Sequence, residues 1–299
     1  MPRAVDDAPL VSIIVPTHNR AGLLPRALAS ALGQTYAPIE VVVVDDGSTD
    51  GTADVVEGLK ARHPNLRYLR HDHPLGASAA RNRGVREAAG TLVALLDDDD
   101  EFAAERIEKL MALYRQQPAW SFVCSDYLVV ARNGTRRSRK AGVVSLDRIL
   151  WTNIASQSIL TTRSRMLEAG GFDETFSAAQ DHDAFTRLIA SHGPGFRLGE
   201  VLYVCHQEHR APRISTRSEG RLRGYSQYYR AHKRRMTRAQ RAWHLYRLSK
   251  LRGRRFTLGR FVRMVPVGFF PAEINDYVFE RTPLYSWLNQ ITRRFPTLG

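Results

Sequence analysis

The chain has 299 residues, 43% of them hydrophobic and 25% charged, with a formal net charge of +14, which leaves room for one large α/β domain or a medium domain with an appendage. Two cysteines, Cys124 and Cys205, supply no disulfide framework; both sit in apolar strand-like runs that read as core, and a reducing cytoplasmic setting fits. Residues 1–9 hold no apolar stretch suited to a signal peptide, and no window approaches the roughly 20 apolar residues of a bilayer span, so membrane crossing is not expected, although contact with a membrane surface is compatible.

The first elements alternate. Leu10 to Val15 is a β-branched apolar run stopped by Pro16 and predicts a buried strand; Leu23, Leu24, Ala27, Leu28 and Ala31 then recur at helical spacing within Arg20 to Leu32. Ile39 to Val44 predicts a second strand that runs into Asp45-Asp46-Gly47-Ser48, with Thr49 or Asp50 placed to cap a helix through Val55, Val56 and Leu59. Leu66 to Leu69 predicts a third strand, Ser78 to Ala89 a helix closed by Gly90, and Thr91 to Leu96 a fourth strand ending in Asp97-Asp98-Asp99-Asp100. Uninterrupted apolar strands alternating with helices indicate an α/β fold with a mostly parallel sheet covered on both faces.

Trp120 to Val130 and Phe196 to Cys205 predict further strands, and the polar, basic Arg132 to Lys140 predicts an exposed hairpin or loop between elements. The charge then divides the chain: residues 1–215 hold 25 Lys+Arg against 26 Asp+Glu, residues 216–299 hold 19 against 4. That asymmetry predicts a domain over 1–215 and a basic, mainly helical extension over 216–299, where Tyr225, Tyr228, Tyr229 and His232 recur at helical spacing and Thr237 is placed to cap a second helix. The extension suits peripheral contact with anionic lipid; a helical appendage that packs its aromatic stripe and leaves its charges solvated is the alternative. No recognised nucleic-acid module accompanies the charge, so nucleic acid is not an expected partner.

In a parallel sheet, ligands bind beyond the carboxyl ends of the strands. Three strand ends converge there in polar residues: Pro16-Thr17-His18-Asn19, Asp45-Asp46, and Asp97 to Asp100. Four adjacent carboxylates repel one another, and a hard divalent cation such as Mg²⁺ or Mn²⁺ offsets the charge while bridging to a diphosphate; a solvated acidic turn is the alternative. Strand alternation would turn Asp97 and Asp99 to one side and Asp98 to the other. Asp46 suits a nucleobase or ribose donor, or a plain Asp-Gly turn. Asp181 and Asp183, after Gly171-Phe172-Asp173-Glu174, read as first-turn acids of a helix with nothing local to mark either as a base.

Pro9 to Arg20, Val43 to Thr52, Ala80 to Gly90, Leu95 to Phe102 and Gly170 to Asp183 resemble, in order and spacing, the motifs of family 2 glycosyltransferases over roughly 9–215. The resemblance implies a GT-A fold, a nucleotide-sugar donor (UDP is commonest in the family) and an inverting transfer to a hydroxyl acceptor, with glycan or lipid-linked acceptors of the cell envelope expected. It places Pro16, Thr17 and His18 at the nucleoside, Asp46 at the base, Arg81 near the donor's sugar or phosphates, or else paired with the acidic cluster, and Asp97 and Asp98 at the ribose or donor sugar. Asp99 is implied as metal ligand in Asp97-x-Asp99, and Asp181 as general base. Gln180 replaces the usual acid before that base, which predicts a lower pKa for Asp181 through weaker repulsion. His209 matches a metal- or phosphate-contacting histidine, with His206 competing. An inactive nucleotide-sugar-binding protein and a nucleotidyltransferase are the alternatives; oligomeric state is not legible.

Overall fold

The structure, a computed structural model, describes residues 8–138, 141–155, 158–208 and 218–254. Its first half is the expected alternation: β1 (Val11–Thr17), α1 (Leu24–Leu32), β2 (Ile39–Asp45), α2 (Thr52–Lys60), β3 (Leu66–Arg70), α3 (Ala77–Glu87) and β4 (Leu92–Leu95). The register of β1 against β2 puts Pro16 opposite Val44 and Thr17 opposite Asp45, and β1 also pairs in parallel with β4, as β2 does with β3. Side chains on these strands alternate between two cores. Ile13, Val15, Val41 and Val43 pack with α1 residues Leu24, Leu28 and Ala31, whereas Ile14, Val42 and Val44 pack with Ala80 and Val85 of α3. This period of two, buried on both faces, is why these strands read as continuous apolar runs.

The second half comprises β5 (Glu101–Phe102), α4 (Arg106–Gln116), β6 (Val123–Ala131), β7 (Gly134–Arg137), β8 (Gly142–Val144), α5 (Leu146–Ile149), β9 (Leu160–Thr162), α6 (Arg163–Glu168), α7 (Gln180–His192) and β10 (Gly195–His206). The strands extend the sheet in the order β3-β2-β1-β4-β9-β6-β10-β5, with β7 on β6 and β8 on β10. Among these, β6 and β10 run parallel while β9, β5, β7 and β8 pair antiparallel, so a parallel half is continued by a mixed one. The 134–137 segment is the outer strand of a hairpin on β6, with all four residues exposed. Cys124 and Cys205 are both buried thiols, as their apolar surroundings predicted.

Two local expectations change. The cap of α2 is Gly51, not Thr49 or Asp50; the Asp50 carboxylate, one residue before the cap, accepts from the Thr52 and Ala21 amides at 3.0 and 3.1 Å. α3 ends at Glu87 with Ala88 as its cap, not at Gly90, which sits where a Cβ would lie 2.6 Å from the Leu10 carbonyl oxygen and 2.9 Å from the Ser12 nitrogen. This glycine allows the loop before β4 to press on β1, and the buried Glu40 carboxylate completes the joint by accepting from Ser12 and from the Ala89 amide.

The chain divides into two compact units, Met1–Arg235 and Met236–Gly299. The first carries α8 (Ser218–His232). In the second, α9 (Arg238–Leu251) starts with the expected Thr237, whose hydroxyl accepts from the Gln240 amide while the Gln240 side chain accepts from the Thr237 amide. Among the described residues, no helix is long and apolar enough to cross a membrane.

Candidate active site

The ends of β1 and β2 form one polar corner. The Asp46 amide bonds the Thr17 carbonyl at 2.8 Å, which continues the parallel ladder one step past β2. His18 is exposed, and its Nδ1 donates to the Asp46 carbonyl at 2.7 Å, leaving Nε2 to accept from Asn19 at 3.1 Å. Asp46 is buried, and its carboxylate accepts from His71, Leu75 N and Gly76 N at 2.7–2.8 Å. Burial would raise its pKa, but these three donors outweigh that and hold it below the usual carboxylate range. Asp46 therefore pins the loop at 71–76 to the strand end and stays ionised there.

The four aspartates do not continue the strand. β4 ends at Leu95, and the Asp100 amide bonds the Asp97 carbonyl at 3.1 Å, closing a turn. Strand alternation thus does not apply. The turn brings carboxylate oxygens of Asp97, Asp99 and Asp100 within 4.8 Å of one another, and Asp98 is not in that set. Asp100 is fully buried, accepting from Tyr203 at 2.7 Å and from the His206 amide at 2.9 Å. Nothing in the local sequence marks its part in the cluster, because its anchors on β10 lie 103 and 106 residues on. Burial, then the charge of Asp97, pushes Asp100 well above the ordinary carboxylate range; burial, then Asp99, pushes Asp98 up to about 7. The surrounding cations soften this repulsion without removing it: Arg20 lies 3.9 Å from Asp99, and Arg26 donates to the Asp99 carbonyl at 2.8 Å. Three converging hard oxygen donors carrying surplus negative charge fit Mg²⁺ or Mn²⁺.

The two candidate histidines are placed differently. His206 borders the cluster, but its ring is held between Glu208 (2.8 Å) and Glu101 (3.2 Å). His209 lies outside the described residues.

Arg81 and Asn82 on α3 reach in two directions. Arg81 contacts Asp97 at 2.6 Å and approaches Asp181 at 4.0 Å, which is the pairing with the acidic cluster. Burial alone would lower its pKa, but the two carboxylates raise it, and its Nη1 is buried with no hydrogen-bond partner. Asn82 grips the backbone of Phe172 twice, accepting from its amide and donating to its carbonyl, both at 2.8 Å. The close approach needs Gly171, at φ 59°, where a Cβ would meet the Asn82 oxygen at 2.5 Å. α3 thereby ties the acidic turn to the segment that leads into α7.

On α7, exposure separates two acids that the local sequence could not. Asp181 has a side chain 24% exposed, against 3% for Asp183. Asp183 is consumed by Arg187 and by His232 of α8. Burial raises Asp181 to about 6, with Arg81 lowering it and Asp97 adding to the rise. The lowering expected from Gln180 is outweighed by this burial.

Residues 12–178 match the family model described as Glycosyl transferase family 2. A protein of Escherichia coli K12 named as colanic acid biosynthesis glycosyl transferase WcaA is 30% identical over 267 residues, which cover 87% of this chain and 94% of that one. Among solved structures, S. aureus TarS 1-349 in complex with UDP-GlcNAc has a TM-score of 0.62 at 21% identity, covering 90% of this chain and 78% of that one. The mannosyltransferase PcManGT from Pyrobaculum calidifontis, in complex with GDP-Man and Mn²⁺, has a TM-score of 0.58 at 18% identity, covering 97% and 88%. These two share the fold with this chain.

Proposed function

The chain belongs to glycosyl transferase family 2, and from that premise we propose an inverting transfer of a sugar from a nucleoside-diphosphate sugar, UDP-linked, to a hydroxyl of a cell-envelope glycan or lipid-linked acceptor. The observation that carries this reading is Arg81, buried between Asp97 and Asp181 at 2.6 and 4.0 Å. It joins an acid of the DxD turn to the one partly accessible acid of the α7 first turn. Its Nη1 faces Asp181 at 4.0 Å without a hydrogen bond and is a charged donor suited to a phosphate or sugar oxygen.

Asp181 takes the acceptor's proton as that oxygen bonds to the anomeric carbon; the bond from that carbon to the diphosphate oxygen breaks, and its electron pair leaves with the nucleoside diphosphate. Pro16, Thr17, His18 and Asp46 line the nucleoside side, and Asp97 and Asp98 the ribose and donor sugar. Asp99, with Asp97 and Asp100 beside it, would hold Mg²⁺ or Mn²⁺, and His209 is a further proposed ligand. When bound, such an ion neutralises the growing charge of the leaving diphosphate. The name of the E. coli relative supports the envelope assignment, and the ligands of the two structural neighbours support the donor class and the ion.

The test is nucleoside diphosphate release from a panel of nucleotide sugars, with Mn²⁺ or Mg²⁺ and with chelator. Release that chelation cuts at least 100-fold and added Mn²⁺ restores is the expected result. Thermal stabilisation by the sugars without release would identify an inactive binder, and pyrophosphate release from a nucleoside triphosphate supplied with a sugar phosphate would identify a nucleotidyltransferase.

A peripheral contact of the basic extension with anionic lipid, on the inner face of the cytoplasmic membrane, belongs to the same proposal. Arg221, Arg223 and Arg230 are exposed on α8, and Lys233 is exposed just after it, which supports attraction to such a surface. Co-sedimentation with phosphatidylglycerol vesicles that falls at high salt is expected; equal binding to neutral vesicles would contradict it.

A further inference from the structure

α8 lies along the segment that carries Asp181, and the contacts follow a helical stripe. Gly220, Gly224, Tyr228 and His232 recur every four residues, which places them on one face. The Ser177 hydroxyl donates to the Gly220 carbonyl at 2.9 Å. Gly224 presses on the backbone of Ala178, where a Cβ would collide with the carbonyl oxygen and come within 2.7 Å of the nitrogen and carbon. The Tyr228 ring stacks on His182 at 3.8 Å and 17°. His232 Nε2 donates to Asp183 at 2.8 Å, and both side chains are buried.

The segment so held needs holding. Ala179, at φ 62° and ψ 20°, adopts a left-handed conformation that costs an alanine about 1 kcal/mol or more, and no side chain caps the helix there. Such a backbone persists only where its surroundings over-determine it. The contacts from α8 fall on 177, 178, 182 and 183, on both sides of Ala179 and Asp181, and Asp181 itself is left out of them.

We infer that α8 is a positioning element for the catalytic base: through Gly224, Tyr228 and His232 it fixes the strained entry of α7 and so the placement of Asp181 opposite Arg81. The inference rests on the proposed role of Asp181. It assigns to this part of the chain an effect on turnover, separate from any attraction to lipid.

The experiment compares Gly224→Ala, Tyr228→Ala and His232→Ala with wild type and with Asp181→Asn. Turnover is measured with the donor that the release panel identifies, UDP–Mn²⁺ binding by calorimetry, and amide hydrogen exchange over 177–186 in metal-free protein. The three α8 variants are expected to lose at least 10-fold in kcat, with donor KM and the Kd of UDP within twofold, and to exchange faster over 177–186. Tyr228→Phe and His232→Gln, which keep the ring stack and the donor to Asp183, should recover most of the loss. If Asp181→Asn is inactive while Tyr228→Ala and His232→Ala keep kcat within twofold, the positioning role is overturned. If Asp181→Asn is itself active, the base assignment has failed, and unchanged exchange over 177–186 would separately remove the hold of α8 on that segment. Should Gly224→Ala not fold, the Tyr228 and His232 variants decide.

Discussion

Asp181→Asn is expected to lower kcat by about 10²- to 10⁴-fold, the usual contribution of a general base, while UDP–Mn²⁺ still binds with near wild-type affinity. The amide matches the carboxylate in shape but cannot take a proton. The Arg81–Asp97 contact at 2.6 Å does not depend on Asp181, so the donor side of the site survives the change. The pH profile supplies a second readout. Burial raises Asp181 to about 6, and a base works only when deprotonated. Wild-type kcat/KM should therefore fall as pH drops through about 6, and the residual activity of Asp181→Asn should lack that limb. A variant that keeps more than a tenth of wild-type turnover, or keeps the limb, removes Asp181 from the role.

The parallel half of the fold was legible because its signals are local. Val11 to Val15 and Val41 to Val44 are buried on both faces, and such strands can only read as apolar runs. The acidic turn was legible as a site for the same reason: four carboxylates cannot sit at an apolar strand end without compensation. Its geometry was not, because the bond from the Asp100 amide to the Asp97 carbonyl replaces strand alternation with a turn. The roles of Asp100 and Asp183 were hidden by distance along the chain. Tyr203 and His206, which hold Asp100, and His232, which holds Asp183, follow 103, 106 and 49 residues later. The motif Ala80-Arg81-Asn82 shows the same limit. Its helix could be read from spacing, but that adjacent residues serve two places, the acidic turn and the Phe172 backbone, emerges only from the packed structure.

That double attachment makes Arg81 the position where one substitution should do most damage. In Arg81→Ala, Asp97 and Asp181 lose the cation between them, and the proposed donor contact loses Nη1, which makes no hydrogen bond in the protein. Removing one partner of a fully buried ion pair costs about 3–5 kcal/mol; the two carboxylates here are about a quarter exposed, so part of that cost is screened by water. Loss of kcat/KM by at least 10³-fold is expected, with the protein still folded. The direction of the pH effect is fixed independently. Arg81 lowers the Asp181 pKa while Asp97 raises it, so deleting the guanidinium leaves only raising influences, and the acid limb of the residual activity should move above 6. Arg81→Lys keeps a charge but not a fork that spans two carboxylates. It should fall between wild type and alanine, with the limb displaced less. Steady-state kinetics from pH 5 to 8 on the three proteins measure both effects. A limb that stays near 6 in Arg81→Ala would mean that Arg81 and Asp181 do not share one electrostatic site.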